Sequence, residues 1–275
     1  MPRILDYNGR EADRTVTVAS IIAARGTRPP LVQVTAGTAE EAAAAEESGI
    51  DMVVCMAGAV AAVREGSSRL FVTAAIDFDG AVTDDDLLAD AFDALGAGAD
   101  AVITARRFEA VERIASEDIP VMGHLGFVPK KSTLFGGVRA VGRSAGEAVS
   151  LWQKFRRLED AGAFAVECEL IPANLMREIN VRTGLVTISL GSGPDTDVVF
   201  LFSSDICGES PRTPRHARTY ADLASMHAAI SRERVRALSA FRSDVASGAF
   251  PSEDEVVIVD RNVIRDFVDH VDSGR

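Results

Sequence analysis

From residue 31 onward, short apolar runs alternate with longer stretches whose apolar positions recur at helical spacing. The apolar runs fall at 31–35, 51–56, 70–76, 99–104, 119–123, 164–169, 185–190 and 198–202. Their length and glycine or proline punctuation predict buried strands. Between them the spacing predicts helices over 39–48, 83–95, 108–116, 144–160 and 173–181, with glycines such as Gly49 and Gly162 as stops. Asp84, Asp85 and Asp86 open the 83–95 helix, where carboxylates suit the helix dipole; this acidic run reads as a cap rather than a metal site. Eight strands alternating with helices predict a (β/α)8 TIM barrel in preference to an open doubly wound sheet, and the first strand lacks a dinucleotide-type glycine fingerprint.

Outside the alternation, residues 1–30 are polar and Arg-rich and read as an amino-terminal arm with one short helix over 16–25. The segment 220–247 carries Leu223, Met226, Ile230, Val235, Leu238, Phe241 and Val245 on a roughly helical repeat, which predicts packing on the barrel exterior. Apolar clusters at 256–259 and 263–268 read as an oligomer-contacting tail. No internal boundary separates a second domain, so the expectation is one domain over 1–275 with the arm 1–30 and a helical extension 204–275.

Composition narrows the class. A net charge of −12 argues against a nucleic-acid surface, which needs a basic stripe. No apolar stretch is long enough for a transmembrane helix, and charges interrupt the amino terminus where a signal peptide would be apolar, which points to the cytoplasm and away from membranes. The three cysteines, Cys55, Cys168 and Cys207, form no close pair or metal-type spacing and read as buried thiols rather than ligands or bridges.

In such barrels the chemistry lies at the carboxyl ends of the strands. Polar residues there are Thr35, Asp77, Asp79, His124, Glu167, Glu169, Ser189 and Ser192. His124 sits between Gly123 and Gly126 at a strand end, where backbone can approach a ligand closely. Glu167 and Glu169 share parity and face the same side of their strand; a desolvated carboxylate there is a candidate general acid or base. The loop carrying Lys130, Lys131, Ser132, Arg139 and Arg143 is either an anion site or a solvated loop.

Several motifs in fixed order then resemble one family. Pro120-Val121-Met122-Gly123-His124-Leu125-Gly126, the Gly136-Gly137-x-Arg139-x-x-Gly142-Arg143 loop and Ala161-Gly162-Ala163-Phe164 followed by Glu169 and Pro172 resemble ketopantoate hydroxymethyltransferase. Gly191-x-Gly193-Pro194, Tyr220-Ala221-Asp222-Leu223 and Gly248-x-Phe250-Pro251 continue the likeness to the end of the match. The resemblance implies a (β/α)8 barrel of the phosphoenolpyruvate mutase/isocitrate lyase superfamily type and a homo-oligomer. It implies transfer of a one-carbon unit from methylenetetrahydrofolate to a small 2-oxo acid through a magnesium-bound enolate. The family's two metal-ligand aspartates, after strands two and three, match Ala57 and Ala75 here. Its Asp-Ser pair becomes Ala57-Gly58, and its Lys-x-Glu after strand four becomes Ile103-Thr104-Ala105.

The resemblance leaves Glu169 and His124 as catalytic residues; with the strand-end positions Thr35, Ser189 and Ser192, Gly58 and Arg139 complete the expected substrate-binding set. Asp77, Asp79 and Glu167 are the oxygen donors left for a displaced Mg2+. Three functions fit: a diverged enzyme acting on a 2-oxo acid or related carboxylate by enolate or carbon–carbon bond chemistry, authentic hydroxymethyl transfer with a relocated metal, or a non-catalytic paralogue that senses a ligand or binds a partner.

Overall fold

Eight parallel strands close into a barrel in the computed structural model, which describes residues 3–76 and 81–274. The strands are β1 (Leu31–Thr35), β2 (Met52–Met56), β3 (Phe71–Ala75), β4 (Ala101–Ile103), β5 (Val121–Gly126), β6 (Ala165–Glu169), β7 (Val186–Leu190) and β8 (Val198–Leu201). Each pairs with the next, and β8 pairs back onto β1. All eight predicted strands are present, and the fold is a (β/α)8 barrel.

Strand parity sorts the side chains into two cores. Val53, Cys55, Val72, Ala74, Val121 and Val166 point outward into the layer beneath the helices. Met52, Val54, Phe71, Ala75, Met122 and Ala165 point inward and fill the barrel. His124 has the parity of Met122, and Glu167 and Glu169 have that of Ala165, so all three belong to the interior side.

The outer helices include α1 (Ala39–Glu47), α2 (Val60–Gly66), α3 (Asp84–Gly96), α4 (Phe108–Ala115), α5 (Ala145–Asp160) and α6 (Ala173–Asn180). Helix α3 begins as expected: Thr83 caps it and the Asp86 carboxylate returns a bond to the Thr83 backbone. Helix α2 was not anticipated between the second and third strands.

The amino-terminal arm is more ordered than its polarity suggested. Residues Ile4–Leu5 pair with Glu11–Ala12, and a capped helix over Val18–Ala23 follows. Its Ile21 is 1% exposed and packs with the interior core, beside Met52, Phe71 and Val198 at the strand starts. Arg14 and Arg64 both bond Asp100, at 2.8 and 2.6 Å, below the barrel.

The chain divides into two compact units, one ending at Ala221 and the other starting at Asp222. The short helix Ser203–Ile206 belongs to the first unit, where Ser203 N donates to Thr35 Oγ1 of β1. The second unit holds α7 (Leu223–Ser247) and α8 (Arg261–Asp272). Helix α7 is capped by Asp222 and ends at Gly248, whose φ of +75° favours glycine. Within this unit Met226, Ile230, Leu238 and Phe241 are each more than half exposed. Phe241 meets Phe250 edge-on at 5.3 Å within this unit.

Candidate active site

Two glycines bring β5 against its neighbours. A Cβ at Gly123 would lie 2.4 Å from Leu158 Cδ2, so the absence of a side chain lets α5 seat on the strand. Gly126 has φ +90°, and a Cβ there would meet the Glu169 carbonyl at 2.2 Å. Phe127 N donates to that same carbonyl at 2.8 Å, closing the ends of β5 and β6 together. Pairing runs His124 with Glu167 and Gly126 with Glu169, so one imidazole and two carboxylates meet on the interior face.

His124 Nε2 lies 3.1 Å from Glu169 Oε2, 3.1 Å from the Phe127 carbonyl and 3.9 Å from Glu167 Oε1. A carbonyl only accepts, so Nε2 carries a hydrogen that it donates toward both neighbours. Burial of His124 pulls its pKa down; the Glu169 hydrogen bond, the charges of Glu167 and Glu169 and the Phe127 carbonyl outweigh this and raise it above the ordinary imidazole value. Glu167 is 7% exposed and has no hydrogen-bond partner among the described residues. Burial raises its pKa above the usual carboxylate range; the charge of His124 opposes the shift and that of Glu169 adds to it.

These groups form one wall of a cavity of about 440 Å3 at the carboxyl ends of the strands. The remaining walls are mainly apolar: Val54, Met56, Ala75, Ile103, Leu190 and Phe200. A buried carboxylate beside a mainly apolar volume suits removal of a proton from a carbon acid, since few polar groups there compete for the carboxylate.

Other residues singled out in the sequence take varied places. Thr35 and Lys130 line the same cavity. Ser189 and Ser192 are buried off it and tie strand ends together: Ser192 N donates to Ser189 Oγ, and Ser192 Oγ accepts from Ile171 N and donates to the Cys168 carbonyl. Arg139 is engaged by Glu147 at 2.9 Å and lies over the Phe135 ring, away from the cavity. That arginine, together with the Arg143 and Gly142 amides, pulls the Glu147 carboxyl down to about 2. Gly58 lies in the turn Ala57–Ala59 after β2 and is not among the cavity-lining residues. Asp77 and Asp79 lie outside the described residues. The cysteines are free thiols; Cys55 and Cys168 are buried and Cys207 half-buried.

Among the described residues, the strand-two and strand-three edge offers the metal expected from the resemblance no side-chain oxygen. Ala75 ends β3, and the residue paired with it in register is Met56, not Ala57. A methyl and a thioether offer a hard cation no oxygen, so these two described side chains do not ligate magnesium. His124, Glu167 and Glu169 do present donors, one nitrogen and carboxylate oxygens all within 4.8 Å of one another. That mixed set suits a borderline transition cation better than magnesium. Sequence reasoning overlooked Met56, Phe200 and Phe202 as lining residues; the inward parity shared by Val54, Met56 and Phe200 was the available signal.

The barrel has solved counterparts. A phosphonopyruvate hydrolase aligns with TM-score 0.51 at 13% identity, covering 87% of this chain and 93% of its own. A 2,3-dimethylmalate lyase, a member of the phosphoenolpyruvate mutase/isocitrate lyase superfamily, aligns with TM-score 0.50 at 12% identity over 94% and 99%. At such identities the likeness concerns the fold. In sequence, the 3-methyl-2-oxobutanoate hydroxymethyltransferase of Pyrobaculum islandicum is 34% identical over 88% of this chain and 98% of its own length. The enzyme of the same name from Hyperthermus butylicus is 34% identical over 89% and 90%. The profile of ketopantoate hydroxymethyltransferase matches residues 53–253, which takes in β2 to β8 and the whole His124 and Glu169 wall. On its sequence, the chain belongs to the ketopantoate hydroxymethyltransferase family.

Proposed function

We propose that this family member is a diverged enzyme acting on a small 2-oxo acid or related carboxylate, by enolate or carbon–carbon bond chemistry that starts with removal of a proton beside the carbonyl. The observation that carries the reading is the 3.1 Å contact between His124 Nε2 and Glu169 Oε2 in the wall of the 440 Å3 cavity. Glu169 accepts the carbon-bound proton. His124, whose charged form is favoured by its carboxylate neighbours, keeps a positive charge beside the oxygen on which negative charge develops. The apolar walls exclude water from the deprotonated carbon.

Incubation of the protein with 3-methyl-2-oxobutanoate in deuterated water tests this directly. Loss of the C3 proton signal by NMR, abolished in E169Q, supports the reading. An exchange rate that is the same in E169Q, or the absence of exchange with any of a series of 2-oxo acids, rejects it.

A second reading, hydroxymethyl transfer from methylenetetrahydrofolate to 3-methyl-2-oxobutanoate, is favoured by the family and by the convergence of three donors. His124, Glu167 and Glu169 would then hold the divalent cation, which when bound supplies Lewis-acid polarisation of the 2-oxo group. Ketopantoate formation that needs added metal supports it; no product with both substrates and a panel of divalent cations rejects it. Either reading takes the working form to be a cytoplasmic homo-oligomer, which light scattering on the purified protein checks.

A further inference from the structure

Behind the reacting wall lies a second cavity, of about 350 Å3, whose character is opposite to the first. Its lining gathers Arg106, Arg107, Lys131, Lys154 and Arg157 against one carboxylate, Glu109. The chain as a whole carries a net charge of −12, so a concave cluster of cations runs against the trend of the surface. Three separate segments supply it: the turn between β4 and α4, the loop after β5, and helix α5.

The cations are held differently. Arg107 bridges Asp84 at 2.5 Å, and Arg157 bridges Glu109 at 3.1 Å while its guanidinium lies 4.5 Å above the Phe108 ring. These two are matched and fixed. Arg106 donates instead to the Ala81 and Val82 carbonyls at 2.9 and 3.0 Å, acceptors that orient the guanidinium without cancelling its charge. Lys154 makes no ion pair or hydrogen bond among the described residues. An oriented arginine and an unmatched lysine around a concave volume focus positive potential in it, and the charge left over is what an oxyanion would neutralise.

The two cavities share a wall. Thr104, His124 and Val128 line both. We propose that the basic cavity is a binding site for a multivalent oxyanion, phosphate or clustered carboxylate, carried by a substrate or cosubstrate whose reacting part reaches the apolar cavity past His124. The anion anchors one end of the molecule in the charged chamber, and the dry chamber receives the other.

Calorimetry on the full chain at fixed, low ionic strength tests the site, with pyrophosphate and tricarballylate as separate probes. Binding of either at one site per chain, weakened about tenfold or more by K154E and little by R156E, supports the proposal. Lys154 is exposed and unpaired, so its replacement leaves the fold intact, and Arg156 controls for surface charge on the same helix, where it pairs with Glu159 instead. Pyrophosphate alone assigns a phosphate, tricarballylate alone a carboxylate cluster. The His124 imidazole resonances should shift with the bound probe, because that ring forms the shared wall. Absence of binding at millimolar concentrations of both probes, or binding weakened equally by K154E and R156E, overturns it.

Discussion

The two edges of the barrel mouth are built by the same rule and end in opposite chemistry. At the β5–β6 edge the last inward residues are His124, Glu167 and Glu169, three polar groups buried together. At the β2–β3 edge the last inward pair among the described residues is Met56 and Ala75, joined in register and apolar. Strand parity alone puts both sets in the cavity, so the fold does not decide which edge reacts. Side-chain identity does. Burial at the polar edge makes charge on Glu167 costly, and its neighbour Glu169 adds to that cost.

The largest expected effect comes from disabling the polar edge. E169Q keeps the shape and a hydrogen bond to His124 but cannot accept a proton. Deuterium exchange into a 2-oxo acid should fall by roughly 10²–10⁴-fold, the usual contribution of a positioned general base. A loss of less than about tenfold would move the base elsewhere and leave Glu169 as a positioning residue for His124.

Next in size is the backbone approach that assembles that edge. G126A asks a side chain to occupy φ +90° and to sit 2.2 Å from the Glu169 carbonyl, with the Ile171 side chain at 2.9 Å. Strain and overpacking together should cost about 3 kcal/mol of stability, read from urea unfolding. A neutral result would mean that β5 and β6 separate readily, and that the 3.1 Å contact is not enforced by the strands.

The comparison can also be inverted. M56D combined with A75D places two carboxylates side by side on the apolar edge, in paired register. Without a cation, two like charges in a half-dry cavity should lower stability by about 2 kcal/mol. Millimolar Mg2+ or Mn2+ should return part of the loss as a rise in Tm, because a ligand of the folded state stabilises it by mass action. No metal-dependent rise would show that oxygen donors at this edge are insufficient for a metal centre.

How much of this was legible in the sequence follows from what each signal depends on. The eight strands were, because a strand buried on both sides reads as an uninterrupted apolar run, and parity then put Glu167 and Glu169 on one face. His124 was marked by its flanking glycines. Arg139 was misplaced for want of its partner: as a loop cation it resembles an anion anchor, yet it is absorbed by Glu147. The signal was there, since Ser144-x-x-Glu147 is a helix-start pattern whose carboxylate turns back to the loop, and it accepts from the Gly142 and Arg143 amides. The pairing of Met56 rather than Ala57 with Ala75 depends on register between strands far apart in the chain, which no local pattern carries. Nor does local pattern show that Ile21 of a polar, Arg-rich arm joins the interior core.

The smallest expected effect separates the two edges by pH. Glu167 and His124 both have folded-state pKa values above their ordinary ones, so the folded protein holds these protons more tightly than the unfolded chain does. Their contribution to stability is therefore fully present at low pH. It is lost for Glu167 as pH climbs from the ordinary 4.5 through its raised folded value, and for His124 as pH climbs above 6.5. E167Q removes the first of these and, by deleting a neighbouring carboxylate, weakens the second. The variant should match wild type at pH 4, below the ordinary 4.5, and gain on it as pH climbs toward 8, by about 1 kcal/mol, as the wild type is driven to hold a buried charge. Tm measured across that range reads the difference directly. A constant offset between the two proteins would mean that Glu167 ionises as freely in the folded state as in the unfolded chain, and that the polar edge is wetter than its burial implies.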